Sequence, residues 1–518
     1  MAKPQLSKGA VLDGFRLEER VHKGGMASLW RVSHPEITTP LIMKVPILGE
    51  GEDPAAIVGF EMEQMIMPRL SGSHVPEFVA AGDFAAQPYI VMERIEAPSL
   101  LKRLPDLPLP YQEVSAIGVK IAAALADLHR QHVIHLDIKP SNVLIRPEGH
   151  AALIDFGLAH HDQLPDLMQE EFRLPYGTAP YMAPEQLLGV RRDPRSDQFA
   201  LGVLLYFFST GLRPFGQSET MRGMRKRLWR DPRPPRSLRE DYPPALQEIV
   251  LRCLEIQPAW RYPTMAQLAF ALGNQDQVTL TARAERLTRD PFSTVLRRRF
   301  NTDLITASSR RGIARQLNSA PIVAIAVDLS ETSEAIHEAL RQAAERMVTT
   351  LPSARLACLN VLKLGLITLD TTLDARGHNK HVDRLVALKH WAEPLKLPEH
   401  RVTYHVLEAV DPADAILDYA RQNAVDQLLI GARQNSLKRR LLGSVSAKVA
   451  AEAVCTVTIV RPPSAERDRE QADADTGHDG ASAGDGADPA CEKAGAAIAR
   501  SQMPRRPILD PANEAINA

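Results

Sequence analysis

The run His135-Leu136-Asp137-Ile138-Lys139-Pro140-Ser141-Asn142 constrains this chain more than any other feature. It sets an acid, a cation and an amide at fixed offsets on one short loop. Ile117, Ile121, Leu125 and Leu128 recur at helical spacing just before it, which places the loop at the end of a buried helix. Ile154-Asp155-Phe156-Gly157 follows. A polar loop that satisfies only its own backbone does not account for Asp137, Lys139, Asn142 and Asp155 together with Phe156 and Gly157. A base for a hydroxyl proton, a cation for a moving phosphoryl group and two metal-ligand positions are what phosphoryl transfer needs.

The remaining composition excludes several alternatives. A formal net charge of -1 over 518 residues gives no polyelectrolyte character, so nucleic acid is not an expected partner. The N-terminal residues lack an apolar targeting segment, and the longest apolar run, 199–208, is too short to span a bilayer. It reads as a buried helix, and the expectation is a cytoplasmic protein with no membrane partner. Cys253, Cys358, Cys455 and Cys491 form no CxxC pair and read as incidental or buried thiols in a reducing compartment.

Changes in pattern divide the chain into an N-terminal tail at 1–12, a mixed domain at 13–273, a basic linker at 274–319, an α/β domain at 320–462 and a disordered tail at 463–518. In the mixed domain, strands come first at 15–17, 28–32 and 41–45, and helices later. The linker carries Arg297-Arg298-Arg299 and Arg310-Arg311. It reads as solvated chain, or alternatively as a docking segment for an acidic partner. From 320, strands and helices alternate. Strands are expected at 321–328, 356–362, 402–407, 427–430 and 455–460, with one helix face at Ile336, Leu340, Ala344 and Met347. Asp411-Pro412 opens another helix as N-cap and first-turn proline. This is an open doubly wound, Rossmann-like α/β pattern. The last 56 residues are rich in Ala, Asp, Gly and Glu and hold too little apolar surface to order themselves.

Over about 13–272 the sequence resembles bacterial-type serine/threonine protein kinases, with several motifs in the family's order. The resemblance implies a bilobal α+β kinase fold that uses ATP and Mg2+ and acts on Ser or Thr of protein substrates. In 21–30 it implies a glycine-rich ATP loop with Val21, Gly24, Gly25 and Leu29 around the nucleotide. Only the middle family glycine is matched, at Gly24; His22 and Ala27 take the outer positions. Lys44 matches the lysine that binds the inner phosphates, and Glu63 the acid that orients it. Glu61 competes for that role two residues away, and Glu63 fits the following loop better. The segment 88–95 resembles the hinge, with Met92 lining the pocket and backbone groups of Glu93 and Ile95 on the adenine edge. Asp137 becomes the catalytic base or orienting group, Lys139 the phosphoryl cation, and Asn142 and Asp155 the Mg2+ ligands. Phe156 and Gly157 complete that motif. Thr178 would hydrogen-bond toward Asp137 and Lys139, Glu185 would pair with Arg261, and Asp197 would hold the catalytic-loop backbone.

In that family an arginine of the catalytic loop grips a phosphate on the activation segment. Here its position is Leu136, and residues 158–175 contain no Ser or Thr. Order in this segment must come from elsewhere. The expectation is activity independent of phosphorylation there. The alternative is a catalytically weak or inactive nucleotide-responsive scaffold, a pseudokinase in stress signalling, motivated by His22, Ala27 and Leu136.

Residues 320–462 resemble the universal stress protein family through Val327-Asp328-Leu329-Ser330 and the stretch from Gly431 to Ser446. In its ATP-binding members two glycines three apart precede, after nine residues, a glycine and Ser or Thr. Here Gln434 replaces the second glycine and the spacing is one residue short. Gly443-Ser444 sits at a helix start, which favours anions. Asp328 could bind ribose or adenine, or simply cap its strand. The resemblance implies a second nucleotide site at Asp328, Gly431, Gly443 and Ser444, or a homodimerisation or docking module.

Overall fold

Alternating burial along short strands builds the first lobe. The strands are β1 (Val11–Leu12), β2 (Phe15–Lys23), β3 (Ala27–His34), β4 (Ile37–Pro46), β5 (Phe78–Gly82) and β6 (Tyr89–Glu93). They form an antiparallel sheet in the order β1-β2-β3-β4-β6-β5. Phe15, Leu17, Trp30, Val32, Leu41 and Met43 share one apolar layer. Helix α1 (Pro54–Ile66) is buried at every position from Ala55 to Glu63, so no face of that stretch is left to solvent. The structure is a computed structural model that describes residues 6–24, 27–48, 54–172, 177–216, 220–300, 321–330, 334–351, 354–364, 379–398, 401–432 and 444–462. Expectations for Gly25, Gln434, Gly443, Cys491 and the tail at 463–518 lie outside these residues.

The second lobe is helical: α2 (Tyr111–Arg130), α3 (Leu167–Glu171), α4 (Arg195–Thr210), α5 (Met221–Met224), α6 (Pro244–Cys253), α7 (Met265–Gly273) and α8 (Phe292–Phe300). The stripe Ile117, Ile121, Leu125 and Leu128 is buried as its spacing predicts, and α2 packs on α4 and α7. Each such side chain contributes about 1.5–3 kcal/mol by leaving water. The apolar run at 199–208 is the buried centre of α4. Two small two-stranded antiparallel sheets hang the functional loops from this core. They pair β7 (Val133–Ile134) with β10 (His160–His161), and β8 (Val143–Ile145) with β9 (Ala151–Leu153).

The arginine-rich segment does not run as solvated chain over 274–300. Arg283 pairs with Glu248 and Glu255 at 3.1 and 2.7 Å. Arg286 and Arg298 both reach Asp231, each at 3.1 Å. Its acidic partner is the helical lobe of the same chain, and the arginines that read as solvating are the ones that tether it.

The α/β domain contains β11 (Ile322–Ala326), α9 (Glu334–Thr350), β12 (Arg355–Lys363), α10 (Lys380–Ala392), β13 (Val402–Ala409), α11 (Pro412–Gln422), β14 (Gln427–Gly431), α12 (Ser444–Glu452) and β15 (Thr456–Val460). The five strands are parallel in the order β13-β12-β11-β14-β15. Val323, Ile325 and Val327 belong to the core with α9 and α10, whereas Ala324 and Ala326 belong to that with α11 and α12. Strand order reverses between β11 and β14, which opens a crevice at their carboxyl ends. Asp411 caps α11 by accepting from Ala413 N–H at 2.9 Å. Among the described residues no helix is long and apolar enough to cross a membrane.

The two domains share a core, which no local pattern in the sequence signals. Val382 and Leu385 of α10 and Val406 of β13 belong to one apolar cluster with Val58 of α1 and Leu167 and Met168 of α3.

Candidate active site

β4 and α1 bring the first functional pair together. Lys44 Nζ lies 2.5 Å from Glu63 Oε2 and 2.8 Å from Asp155 Oδ1. Burial disfavours a charge on Lys44, but Asp155 and Glu63 outweigh it and hold its pKa above the ordinary lysine value. Lys44 pulls Asp155 down to about 2 against the effect of burial. Burial pushes Glu63, the more enclosed carboxyl, upward against Lys44. Glu61 instead meets Lys389 of α10 at 3.0 Å, which leaves the inward role to Glu63.

The position of α1 against the Asp155 segment depends on two glycines. A Cβ on Gly59 would stand 3.1 Å from the Gly157 carbonyl oxygen, and one on Gly157 would stand 3.2 Å from that of Gly59. Phe156 is buried, and its N–H points to Glu63 Oε1 at 3.4 Å. Gly59→Val should therefore separate α1 from Asp155 and stretch the Lys44–Glu63 contact. Phosphoryl transfer should fall about 10²-fold, while overpacking costs about 1–3 kcal/mol of stability. Steady-state kinetics beside a thermal melt would separate the two effects.

The catalytic loop is held from below and gripped from above. Asp197, fully buried on α4, accepts from the N–H groups of His135 and Leu136 at 3.0 and 2.8 Å and from His129 Nε2 at 2.8 Å. That grip holds Leu136 at φ 62°, a left-handed conformation that costs a branched side chain free energy. Asp155 takes φ 70° in the same way. Asp137 Oδ1 accepts from Thr178 Oγ1 at 2.7 Å and from its N–H at 3.1 Å. Lys139 Nζ lies 2.5 Å from Asp137 Oδ2 and donates to Thr178 Oγ1 at 3.1 Å. Asn142 Nδ2 donates to the Asp137 carbonyl at 3.1 Å. Glu185 and Arg261 form a fully buried two-point pair at 2.6 and 2.8 Å.

Leu29 stands opposite Lys44 in the sheet register, and Val21 on β2 is exposed. Gly24 N–H donates to the Ala27 carbonyl at 2.9 Å, and the His22 ring lies beside Gly24. Met92 is buried, and Ile95 is half-buried just beyond β6. Glu93 donates its N–H to the Glu77 carbonyl, and its carboxylate grips Arg146 at 2.5 and 2.8 Å. The Glu93 side chain therefore fastens the hinge to the helical lobe, a contact the sequence did not suggest.

The Asn142 and Asp155 positions fit a divalent cation by donor chemistry. Asp155 has Oδ1 on Lys44 and a half-exposed side chain, and Asn142 Oδ1 accepts from the Ser141 hydroxyl at 3.0 Å. One carboxylate and one amide oxygen suit Mg2+, which completes its shell with water and phosphate oxygens.

The activation segment contains a clamp made without phosphate. Asp166 caps α3, and its carboxylate is held by Arg191 Nε at 2.8 Å and His160 Nδ1 at 3.1 Å. Burial opposes the charge on Asp166, but Arg191 and His160 outweigh it and keep its pKa well below the carboxylate range. Arg191 also donates to the Leu158 carbonyl at 2.9 Å. Asp166 ahead of a short helix is a capping signature; Arg191, 25 residues on, carries none.

A family model described as the protein kinase domain matches residues 15–270, and one described as the universal stress protein family matches 321–461. Serine/threonine-protein kinase PknL of Mycobacterium tuberculosis is 30% identical over 287 residues, 55% of this chain and 69% of PknL. This chain belongs to the serine/threonine protein kinases. By class it is an ATP-dependent protein serine/threonine kinase, and the family implies ATP and a divalent metal as cofactors. Serine/threonine-protein kinase pkn3 of Myxococcus xanthus is 32% identical over 261 residues, 48% of this chain and 47% of pkn3. The probable serine/threonine-protein kinase CPE1738 of Clostridium perfringens is 28% identical over 256 residues, 49% of this chain and 37% of its own length. The kinase thus spans 69% of PknL but less than half of the other two. Its universal stress protein domain has a cavity of about 410 Å³ at the crevice between β11 and β14. Asp328, Gly431 and Ser444 line it. The Asp328 carboxylate accepts from Ser330 N–H and Oγ at 3.0 and 2.5 Å, the strand-end cap geometry, while still facing the cavity.

Proposed function

We propose that this kinase transfers the γ-phosphoryl group of ATP to Ser or Thr hydroxyls of protein substrates without a phosphate on its activation segment. The observation that carries this reading is the simultaneous closure of two grips: Glu63 on Lys44, and Thr178 and Lys139 on Asp137. Asp137 orients the acceptor hydroxyl and takes its proton. Lys139 stabilises charge on the moving group, and Lys44 binds the inner phosphates in the orientation Glu63 sets. Val21, Leu29 and Met92 enclose the base, the backbone at Gly24 approaches the phosphates, and backbone groups of Glu93 and Ile95 meet the base's edge. Asn142 and Asp155 hold Mg2+, which when bound neutralises phosphate charge. Leu136 and the absence of Ser and Thr from 158–175 motivate phosphate independence, and the Asp166–Arg191 pair supplies a fixed carboxylate in the segment. His22 and Leu136 favour the scaffold reading, but neither displaces Lys44, Asp137, Lys139 or Asp155 from its contacts.

The test is to treat the full chain with phosphatase, remove the phosphatase, and measure transfer from labelled ATP to a generic protein acceptor. Undiminished initial rates are expected. A lag that ends as Tyr176 or Thr178, the only hydroxyl residues near the end of the segment, becomes phosphorylated would contradict phosphate independence. We also place the protein in the cytoplasm, where ATP is available.

For the second domain, the cavity beside Asp328, Gly431 and Ser444 supports nucleotide sensing. Equilibrium dialysis of labelled ATP should reach two equivalents per full chain; one equivalent would leave a docking or homodimer role, which light scattering of the same sample would reveal.

A further inference from the structure

α3 carries two adjacent carboxylates that leave the kinase domain for their partners. Glu170 accepts from Arg355 Nη2 at 2.7 Å and Nη1 at 3.2 Å, and from the Tyr419 hydroxyl at 2.9 Å. His405 Nε2 lies 3.0 Å from Glu170 Oε2, and its Nδ1 lies 3.0 Å from Glu171 Oε1. Both carboxylates and both cationic side chains are almost wholly removed from water. Such desolvation costs several kcal/mol per ion and is tolerated only where geometry and hydrogen bonding compensate. Among the described residues, the side-chain partners of Glu170 and Glu171 all come from the universal stress protein domain.

This contact continues into the active site. α3 packs on α1, and α1 carries Glu63. The outer side of α1 meets the same domain, where Lys389 pairs with Glu61 and lies 5.1 Å above the Phe84 ring and 5.8 Å above that of Tyr404. We propose that Arg355 and His405 are positioning residues for phosphoryl transfer: by gripping Glu170 and Glu171 they hold α3, and through it α1, where Glu63 reaches Lys44. The proposal rests on the kinase reading above. It gives the segment an acid–cation clamp at the stage where Leu136 removes the usual one, with the cations supplied by the second domain.

The charges around His405 give the clamp a pH window. Glu170 and Glu171 face it from α3 and the Tyr419 ring from α11, while Arg355 of β12 acts on Glu170, and His381 of α10 and Glu61 of α1 act on Glu171. Burial favours the neutral ring, but the two glutamates outweigh it and raise His405 from 6.5 to about 9. Burial likewise opposes charge on Glu170, yet His405 and Arg355 lower it from 4.5 to about 2. The His405 contribution is complete below about 6.5 and is lost as pH rises through 9; that of Glu170 is complete above about 4.5 and is lost as pH falls through 2. Amide exchange in α3 should therefore be slower at pH 6.5 than at pH 9.5 after correction for intrinsic rates, and His405→Gln should flatten the difference.

The decisive experiment uses the full chain as wild type, Asp137→Asn, His405→Gln, Arg355→Glu and the swap Glu170→Arg with Arg355→Glu. Each is assayed for kcat, KM for ATP and amide exchange in α3, α1 and β11. Arg355→Glu should lower kcat at least tenfold and speed exchange in α3 and α1, with β11 unchanged; the swap should recover part of both. If Arg355→Glu also exposes β11, the milder His405→Gln decides by the same criteria. Wild-type kcat in a variant whose α3 exchange has risen would overturn the proposal, as would increased activity, which would make the contact inhibitory. No transfer by wild type above Asp137→Asn would overturn the kinase reading and this proposal with it.

Discussion

Asp137→Asn should lower kcat by about 10²–10⁴-fold and leave KM for ATP nearly unchanged. Asp137 contacts Lys139, Thr178 and Asn142 and does not touch Lys44, the residue that meets the inner phosphates. Asparagine preserves the shape and can still accept from Thr178, so the loop stays in place while its proton acceptor is lost. Lys44→Met should behave differently. It removes the cation that Glu63 and Asp155 share and leaves two carboxylates facing each other, so nucleotide affinity and kcat fall together. Because both residues serve one transition state, the double variant should be little worse than the more damaging single one. Steady-state kinetics over a range of ATP concentrations would distinguish the two patterns.

The second large effect is on stability. Arg261→Ala should destabilise the helical lobe by about 3–5 kcal/mol, because it leaves a buried Glu185 without its cation. Ser196 Oγ remains on Glu185 at 2.8 Å and offsets only a small part of that loss. The Arg261 guanidinium also donates to the carbonyls of Glu255 and Arg195 at 2.9 and 2.7 Å, so alanine leaves those acceptors unmet as well. The lobe's melting transition should fall by on the order of 10 °C. Replacing both partners, Glu185→Gln with Arg261→Met, should recover much of the loss, since no isolated charge remains. Calorimetry of the full chain would measure the shift.

What was legible in the sequence was local or periodic. Asp137, Lys139 and Asn142 lie within six residues, and the loop that holds them follows a helix whose apolar spacing announced it. All five strands of the α/β domain were visible, and the first stood out as a near-continuous apolar run because a central parallel strand is covered on both faces. The contacts that escaped join residues far apart in the chain. Nothing near Glu170 hints at Arg355, 185 positions away, or at Tyr419, 249 away. Gly59 resembles any small helical residue until Gly157 is brought against it. One signal was available: Ala55, Ala56, Ile57, Val58 and Phe60 make α1 apolar on every side, and a helix of that kind needs a cover on its outer face. The arginines at 283, 286 and 298 misled in the opposite sense, since charge runs usually face solvent and these find Glu248, Glu255 and Asp231.

The most direct measurement is transfer from γ-labelled ATP with Mg2+ by the phosphatase-treated full chain, beside Asp137→Asn, followed by acid hydrolysis of the labelled protein. The account predicts phosphoserine or phosphothreonine from the wild type and background from Asp137→Asn. Equal label in both, or none in either, would contradict it.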